Sequence, residues 1–324
     1  MPRTLAALTI SLMARLRDVS TVLRRVGPFQ FAKRVWNEVE EDNLFAWASS
    51  LSYSWILGLF PFLIFLLTLI PYLPNSAKIE ARRQIESFID TFPHAASSTL
   101  EDFLRPRLDN LLIEQRKGLL TLGILVTLWA ASGGISATTT ALDKAWDIDA
   151  RRSFVRRRIS AIGLTLLVSF LLMLILFLLP IGTILKHWFW TLAHDEHNFA
   201  VFFIDTARWT LAILVMFLVI EVVYYFGPNV LQRWRWVSPG SLFCALIWVG
   251  LGLLFKIYVD KFGKYNETYG TVGGVAVLLI VFYVDALALL IGAEINSEID
   301  FEILGVPRGS RDFTRPAAQM LAAD

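Results

Sequence analysis

Side chains that commonly do chemistry are scarce in this chain. Its 324 residues include one cysteine, Cys244, and four histidines. His194 and His197 flank an Asp-Glu pair, a spacing compatible with zinc, but a solvated polar loop has the same composition. No phosphate-binding loop, serine-hydrolase elbow or metalloprotease helix is present. We therefore predict no catalytic residue, no metal and no cofactor.

Two carboxylates occupy unusual positions, because each lies within an otherwise apolar stretch. Glu221 is the only charged residue between Trp209 and Leu231, and Asp285 the only one between Thr268 and Ala293. An ionised carboxylate in lipid costs several kcal/mol unless it is paired, hydrated or protonated. Each is either a proton, cation or polar-substrate site, or a hydrogen-bonded contact between helices.

The elements that hold these carboxylates are predicted to be transmembrane helices. Apolar residues make up 56% of the chain and charged residues 18%. A bilayer core needs about 20 helical residues for each crossing. We predict an all-α, polytopic membrane bundle with six transmembrane helices, at residues 45–73, 118–142, 159–185, 208–231, 237–259 and 268–295.

The distribution of lysine and arginine predicts the orientation of the bundle. Eighteen of these residues fall in the segments that share a side with the termini, against ten in the opposite segments. Basic segments resist translocation, so we predict that both termini are cytoplasmic. The chain then divides into residues 1–44, a membrane domain at 45–300 and a cytoplasmic tail at 301–324.

Segments outside the spans have helical apolar periodicity. Residues 1–26 and 29–41 predict amphipathic helices on the membrane surface, although a disordered basic tail is an equal alternative for the first. The outer loop, residues 74–117, predicts two more amphipathic helices that cover the bundle or contact a partner.

Helix breakers within the spans form a further group of candidates. A broken helix exposes backbone groups that bind ions or substrates, whereas small residues also allow close helix packing. The candidates are Pro61, Gly133, Gly134, Gly270, Gly273 and Gly274.

Several strings in the sequence resemble one family. They are LSYSWILGLFPFL, LWAASGGISATTTALDKAWDI, YYFGPN, VSPGSLFCALIWVGLGLLFKIYV, and a final block from YNETYGTVGG to GAEINSEID. Over roughly residues 43–300 the chain resembles the YihY/BrkB family of bacterial inner-membrane proteins, once described as ribonuclease BN. Asp285 departs from the family pattern, in which a small or apolar residue is usual.

The resemblance implies a six-span bacterial inner-membrane protein of envelope biogenesis with cytoplasmic ends. It implies no enzyme, since the chain has no His and Asp cluster for cutting phosphodiesters. The polar residues that we predict to bind substrate or ions, from this resemblance and from the carboxylates above, are Tyr53, Glu221, Asn229, Asn266, Tyr269, Asp285 and Asn296.

Two functional hypotheses follow from these features. One is a transporter or flippase-like protein for an anionic lipid or envelope precursor, with basic segments that suit anionic head groups. The other is a scaffold that transports nothing and binds a partner through its outer amphipathic helices. Membrane lipids are the expected partners in the first case. Nucleic acid is not expected, because the basic residues beside the spans have a topological explanation.

Overall fold

The computed structural model describes residues 21–69, 119–148, 152–192, 198–262 and 266–314. Residues 21–26 are helical. The longer helices are α1 (Pro28–Glu41), α2 (Leu44–Leu69), α3 (Leu119–Ala145), α4 (Phe154–Leu192), α5 (Asn198–Phe226), α6 (Pro239–Phe262) and α7 (Asn266–Leu304). Residues 1–20, the outer loop at 74–117, and the pair His194 and His197 lie outside the described residues.

Helices α2 to α7 form a closed ring in sequence order. Each consecutive pair is in contact, and α7 returns to pack against α2. Helix α1 packs against α2 and α7 at one end of this ring. The ring therefore brings the first long helix beside the last, and it brings Glu221 on α5 and Asp285 on α7 to the two sides of α6.

Four stretches of helix in the described chain are long and apolar enough to cross a membrane. They are Phe154–Leu174, Thr206–Phe226, Pro239–Tyr258 and Val275–Leu304. Helices α2 and α3 are 26 and 27 residues long. The protein is thus a mostly helical chain with several membrane-spanning segments, and the count of six spans stays a prediction.

The best-packed part of the molecule is one end of the ring, which we call the base. Large side chains that are fully buried there include Leu44, Leu142, Trp146 and Leu290. The base also holds the segment that follows α7. Residues Asp312–Phe313 form a short strand, β2, which pairs in parallel with β1 (Leu231–Gln232).

The predicted helix ends and breaks differ from the structure in two ways. Helix α5 ends at Phe226, ahead of the predicted end at 231, because Pro228 disfavours helical geometry in the preceding residue, Gly227. The backbone is helical through every candidate breaker, namely Pro61, Gly133, Gly134, Gly270, Gly273 and Gly274. Glycine within a helix costs about 1 kcal/mol relative to alanine, a cost that a long helix tolerates.

Candidate functional site

The N-terminus of α6 is a junction of three helices. Ser238 precedes Pro239, and the Ser238 and Ser241 hydroxyls accept hydrogen bonds from each other's backbone N–H groups, at 3.1 and 3.0 Å. This reciprocal pair is a capping box with serine in the position that Glu or Gln usually takes. Proline suits the first helical position because it has no N–H to satisfy.

Two of the predicted site residues complete this cap. Glu221 of α5 accepts a hydrogen bond from the Ser238 N–H through a carboxylate oxygen. Asn296 of α7 accepts one from the Gly240 N–H at 2.9 Å and donates to the Ser238 hydroxyl at 2.9 Å. Helix N-termini favour negative charge, so the Glu221 carboxylate stabilises the start of α6.

Helices α6 and α7 approach very closely beside this cap. A Cβ atom on Gly240 would lie 1.8 Å from the Gly292 carbonyl oxygen, and one on Gly292 would lie 2.3 Å from the Tyr224 hydroxyl. That hydroxyl donates to the Leu289 carbonyl at 2.8 Å. Only glycine fits at both positions, so the junction fixes the crossing of α5, α6 and α7.

Asp285 lies further along the same face of α7. Residues 285, 289, 292 and 296 follow helical spacing, so Asp285 faces α6 two turns from Gly292. Its carboxylate interacts with Cys244 of α6, whose thiol is within hydrogen-bonding reach of Tyr224. Among the described residues no hydrogen bond or ion pair to the Asp285 carboxylate is present. The Trp248 indole donates instead to the Asp285 backbone carbonyl, at 3.1 Å.

An apolar groove lies between α6 and α7, close in sequence to Asp285. It has a volume of about 170 Å³ and is lined by Leu251, Leu254, Phe255, Tyr258, Val277, Ile280, Val281 and Val284. Val281 is one helical turn from Asp285. The groove is therefore an apolar surface one helical turn from Asp285.

The other predicted polar residues are spread over the bundle. Tyr53 on α2 is 62% exposed. Asn229 lies in the loop after α5, where its backbone N–H donates to Asp143 at 2.6 Å. Asn266 and Tyr269 lie in the first turns of α7, and their side chains lie outside the described part of the chain. The structure thus joins Glu221 to Asn296, and it does not join Tyr53 or Asn229 to them.

Two of the predicted architectural residues lie at or near the contact between α2 and α3. A Cβ on Gly134 would lie 3.4 Å from the Trp55 ring, and one on Gly58 would lie 3.7 Å from the Gly134 nitrogen. Trp55 also donates to the Thr138 hydroxyl at 3.0 Å. Pro61 lies one turn beyond Gly58 within α2, and Gly133 faces open space.

Sequence reasoning missed a cluster of charges at the base. Arg308 forms ion pairs with Glu38 at 2.7 Å, Asp147 at 2.9 Å and Glu298 at 2.5 Å. Burial raises the pKa of Glu38, and burial together with Asp147 raises the pKa of Asp42. The three partners come from α1, the connection after α3 and the end of α7, so no local pattern reveals the cluster. The Ser-Pro-Gly-Ser string at the start of α6, by contrast, is a capping signal visible in the sequence.

A second ion pair at the base joins Arg235 to Asp300, whose side chains are 16% and 3% exposed. It ties the loop between α5 and α6 to the end of α7. Most acidic side chains of α7 near the base are therefore engaged with arginine.

Comparison with known proteins identifies the family. The family model for virulence factor BrkB matches residues 35–313, which include the junction, Asp285 and the Arg308 cluster. The chain belongs to the BrkB family. This confirms the resemblance seen in the sequence.

Curated relatives agree with this assignment. The chain is 35% identical over 253 residues to "Putative ribonuclease-like protein YfkH" of Bacillus subtilis, an alignment that covers 77% of this chain and 88% of the relative. It is 23% identical over 303 residues to a "UPF0761 membrane protein" of Tolumonas auensis, which covers 92% and 93%. A "UPF0761 membrane protein" of Xanthomonas oryzae is 25% identical over 297 residues, 88% of this chain and 63% of the relative. No solved structure matches.

Proposed function

We propose that this BrkB-family protein is a flippase-like transporter of an anionic lipid or envelope precursor, coupled to protons through Asp285. We infer six spans in a bacterial inner membrane, both termini in the cytoplasm, and no enzymatic activity. The observation that carries the proposal is a carboxylate in the middle of α7 that faces α6 one helical turn from an apolar groove.

The contrast between the two membrane carboxylates supports a functional use of Asp285. Glu221 caps α6, so its desolvation cost is offset by a structural gain. Asp285 has no such use among the described residues, where its neighbour is the Cys244 thiol. A carboxyl group in lipid that stabilises nothing around it is better explained by binding a proton or a polar group of a substrate.

The groove beside Asp285 suits an amphipathic substrate. All eight lining residues are apolar or aromatic, and they belong to α6 and to α7, the helix that carries Asp285. A hydrocarbon chain gains contact with such a surface, while its polar end reaches the carboxyl group. Protonation of Asp285 removes its repulsion toward an anionic head group, which would link lipid movement to proton movement.

The test is lipid exchange in liposomes that contain the purified protein. Vesicles carry a fluorescent anionic phospholipid in both leaflets, and an impermeant reductant quenches the outer leaflet. We expect the remaining fluorescence to fall beyond the outer-leaflet fraction, at a rate that changes with a pH gradient. Asp285→Asn should abolish the pH dependence, because the amide cannot take up a proton.

Glu221→Gln is the matched control, since it also neutralises a membrane carboxylate but can still accept from Ser238 N–H. It should keep the pH dependence of exchange. Exchange no faster than in empty liposomes for every lipid class tested would overturn the proposal and favour the scaffold hypothesis. Equal effects of the two variants would overturn the special role of Asp285.

A further inference from the structure

The loop after α5 gathers three charged residues from distant parts of the chain. The Pro228 carbonyl accepts a hydrogen bond from the Arg152 guanidinium at 2.7 Å. The Asn229 N–H donates to the Asp143 carboxylate at 2.6 Å, and the Leu231 N–H donates to the Arg311 carbonyl at 2.7 Å. Three nearby loop residues thus bring the end of α3, the start of α4 and the tail after α7 together.

Positive charge dominates this meeting point. Arg152, Arg157 and Arg311 all lie close enough to stabilise the charge of the Asp143 carboxylate. Burial lowers the pKa of Arg152. Asp143 raises this pKa, whereas repulsion from Arg156 and Arg311 lowers it. Arginine stays protonated in proteins, so the repulsion persists. Three guanidinium groups therefore lie near one carboxylate, with Arg156 beside Arg152, and a bound anion would relieve the imbalance.

Nearby carboxylates at the base are engaged elsewhere. Asp147 and Glu298 pair with Arg308, and Asp300 pairs with Arg235. The base is consequently divided into an acidic part around Arg308 and a basic part around Asp143. Asp143 is therefore the carboxylate on which these arginines act together.

Apolar side chains beside the arginines indicate a lipid rather than a soluble anion. In the first turns of α4, Phe154 is 63% exposed, Val155 64% and Ile159 65%. Arginines interleaved with exposed apolar residues at the end of a membrane helix are typical of the level of the lipid head groups. The N-terminal N–H groups of α4 point toward the same region and add to its attraction for anions.

We propose that Arg152, Arg156, Arg157 and Arg311, which we call the arginine site, bind the phosphate group of an anionic phospholipid in the cytoplasmic leaflet. Guanidinium groups match phosphate oxygens in charge and in hydrogen-bond geometry. The inference rests on the proposed function for the orientation of the base and for the class of lipid. It concerns binding at equilibrium, so it is measured without transport.

The test is binding of fluorescent phosphatidylglycerol to the purified full-length protein in nanodiscs of phosphatidylcholine. Arg156→Gln/Arg157→Gln should weaken binding roughly 10-fold to 30-fold, as expected for two arginines at a membrane surface. Arg24→Gln/Arg25→Gln is the matched control, because it removes the same charge from exposed cytoplasmic-side residues outside the arginine site. It should change binding less than about 2-fold.

Asp143→Asn provides a test that does not depend on loss of function. The asparagine can still accept from the Asn229 N–H, but the negative charge is gone, so binding of phosphatidylglycerol should tighten roughly 3-fold or more. Weaker or unchanged binding in this variant would overturn the proposal. Equal weakening by the two double-arginine variants would also overturn it, because general surface charge would then account for binding.

Inorganic phosphate distinguishes a lipid head group from a free anion. At millimolar concentration and constant ionic strength, phosphate should leave the bound phosphatidylglycerol in place, because the apolar residues of α4 hold only the lipid. Displacement of the lipid by phosphate would assign the arginine site to soluble anions and overturn the lipid proposal. Normal binding with no lipid exchange would remove the transport proposal alone and leave this one standing.

Discussion

Asp42 lies in the two-residue connection between α1 and α2, close to carboxylates from other segments. Burial raises its pKa, and Asp147 adds to the effect. A raised pKa in the folded state means that the contribution of this carboxyl to stability is fully present below its unfolded pKa, near 3.9, and is lost as pH rises through the folded value. At neutral pH the charged Asp42 therefore destabilises the fold.

We predict that Asp42→Asn raises the thermal unfolding midpoint in detergent at about pH 7.5 and has little effect near pH 4. The amide removes the charge at every pH, so the variant should differ from the unchanged protein only where Asp42 is ionised. Tryptophan fluorescence during heating measures the midpoint. Glu41→Gln is the control, since Glu41 is adjacent and exposed. A lower midpoint for Asp42→Asn at neutral pH would contradict the argument.

The sequence identifies Glu221 and Asp285 by the same feature and does not distinguish their roles. Both are carboxylates in apolar stretches, and the cost of such a residue depends on what it faces. Glu221 faces a helix N-terminus that is 17 residues away in sequence, whereas the Asp285 carboxylate has no hydrogen bond or ion pair among the described residues. Only the packing of α5, α6 and α7 supplies that difference.

Helix α6 offers a direct test of close packing between elements. We predict that Gly240→Ala lowers the thermal unfolding midpoint. The free energy of unfolding should fall by about 1–3 kcal/mol, as is typical of overpacking. The reason is that the new Cβ would lie 1.8 Å from a backbone carbonyl of α7, and backbone cannot move aside cheaply. Gly250→Ala and Gly252→Ala are matched controls on the same helix, because a Cβ at either position meets nothing within 4 Å.

Both control variants should keep or slightly raise the midpoint, since alanine favours helix over glycine by about 1 kcal/mol. If Gly240→Ala behaved like them, the α6–α7 contact would be looser than the structure has it. A drop in all three variants would show instead that glycine is needed along the whole helix.

The elements themselves were the most predictable part of the fold. Long apolar stretches require helices in lipid, so each of the helices α2 to α7 overlaps a stretch predicted from hydropathy, although α5 begins ten residues before its predicted start at 208. The end of α5 was less predictable, because apolar residues continue past Phe226 into β1 and only the chain-reversing Gly-Pro pair ends the helix. Helix caps also depend on residues that are close in sequence, as in the Ser-Pro-Gly-Ser string, so they can be predicted. Contacts such as Gly240 with Gly292 depend on tertiary packing, which local patterns do not record.

At the scale of the whole molecule, the charged residues at the base attach the tail, residues 305–314, to the helices. Val306 and Phe313 are 5% and 2% exposed, and Arg308 lies between them with its guanidinium 5.3 Å from the Phe301 ring centre. Arg308 joins α1, the connection after α3 and the end of α7 through three ion pairs. The tail segment is thus part of the folded base, although its composition predicts only a cytoplasmic extension.

We predict that Arg308→Gln lowers the thermal unfolding midpoint and speeds proteolysis of residues 305–314. Removal of the guanidinium leaves Glu38, Asp147 and Glu298 to repel one another, at a cost of roughly 1–3 kcal/mol for a partly exposed network. Arg34→Gln is the charge-matched control, because Arg34 makes one exposed ion pair, with Glu302 at 3.2 Å. Arg34→Gln should lower the free energy of unfolding by less than about 1 kcal/mol and should therefore shift the midpoint little.

The pH dependence separates this electrostatic effect from simple loss of packing. Burial raises the pKa of Glu38, and protonation of Glu38 removes part of the repulsion, so the difference between Arg308→Gln and the unchanged protein should shrink as pH falls from about 8 to about 4. A difference that stayed constant over this range would mean that Arg308 acts mainly by covering the Phe301 ring. In that case Arg308→Met, which keeps the apolar contact without the charge, would restore most of the lost stability, whereas the ion-pair account expects it to restore little at neutral pH.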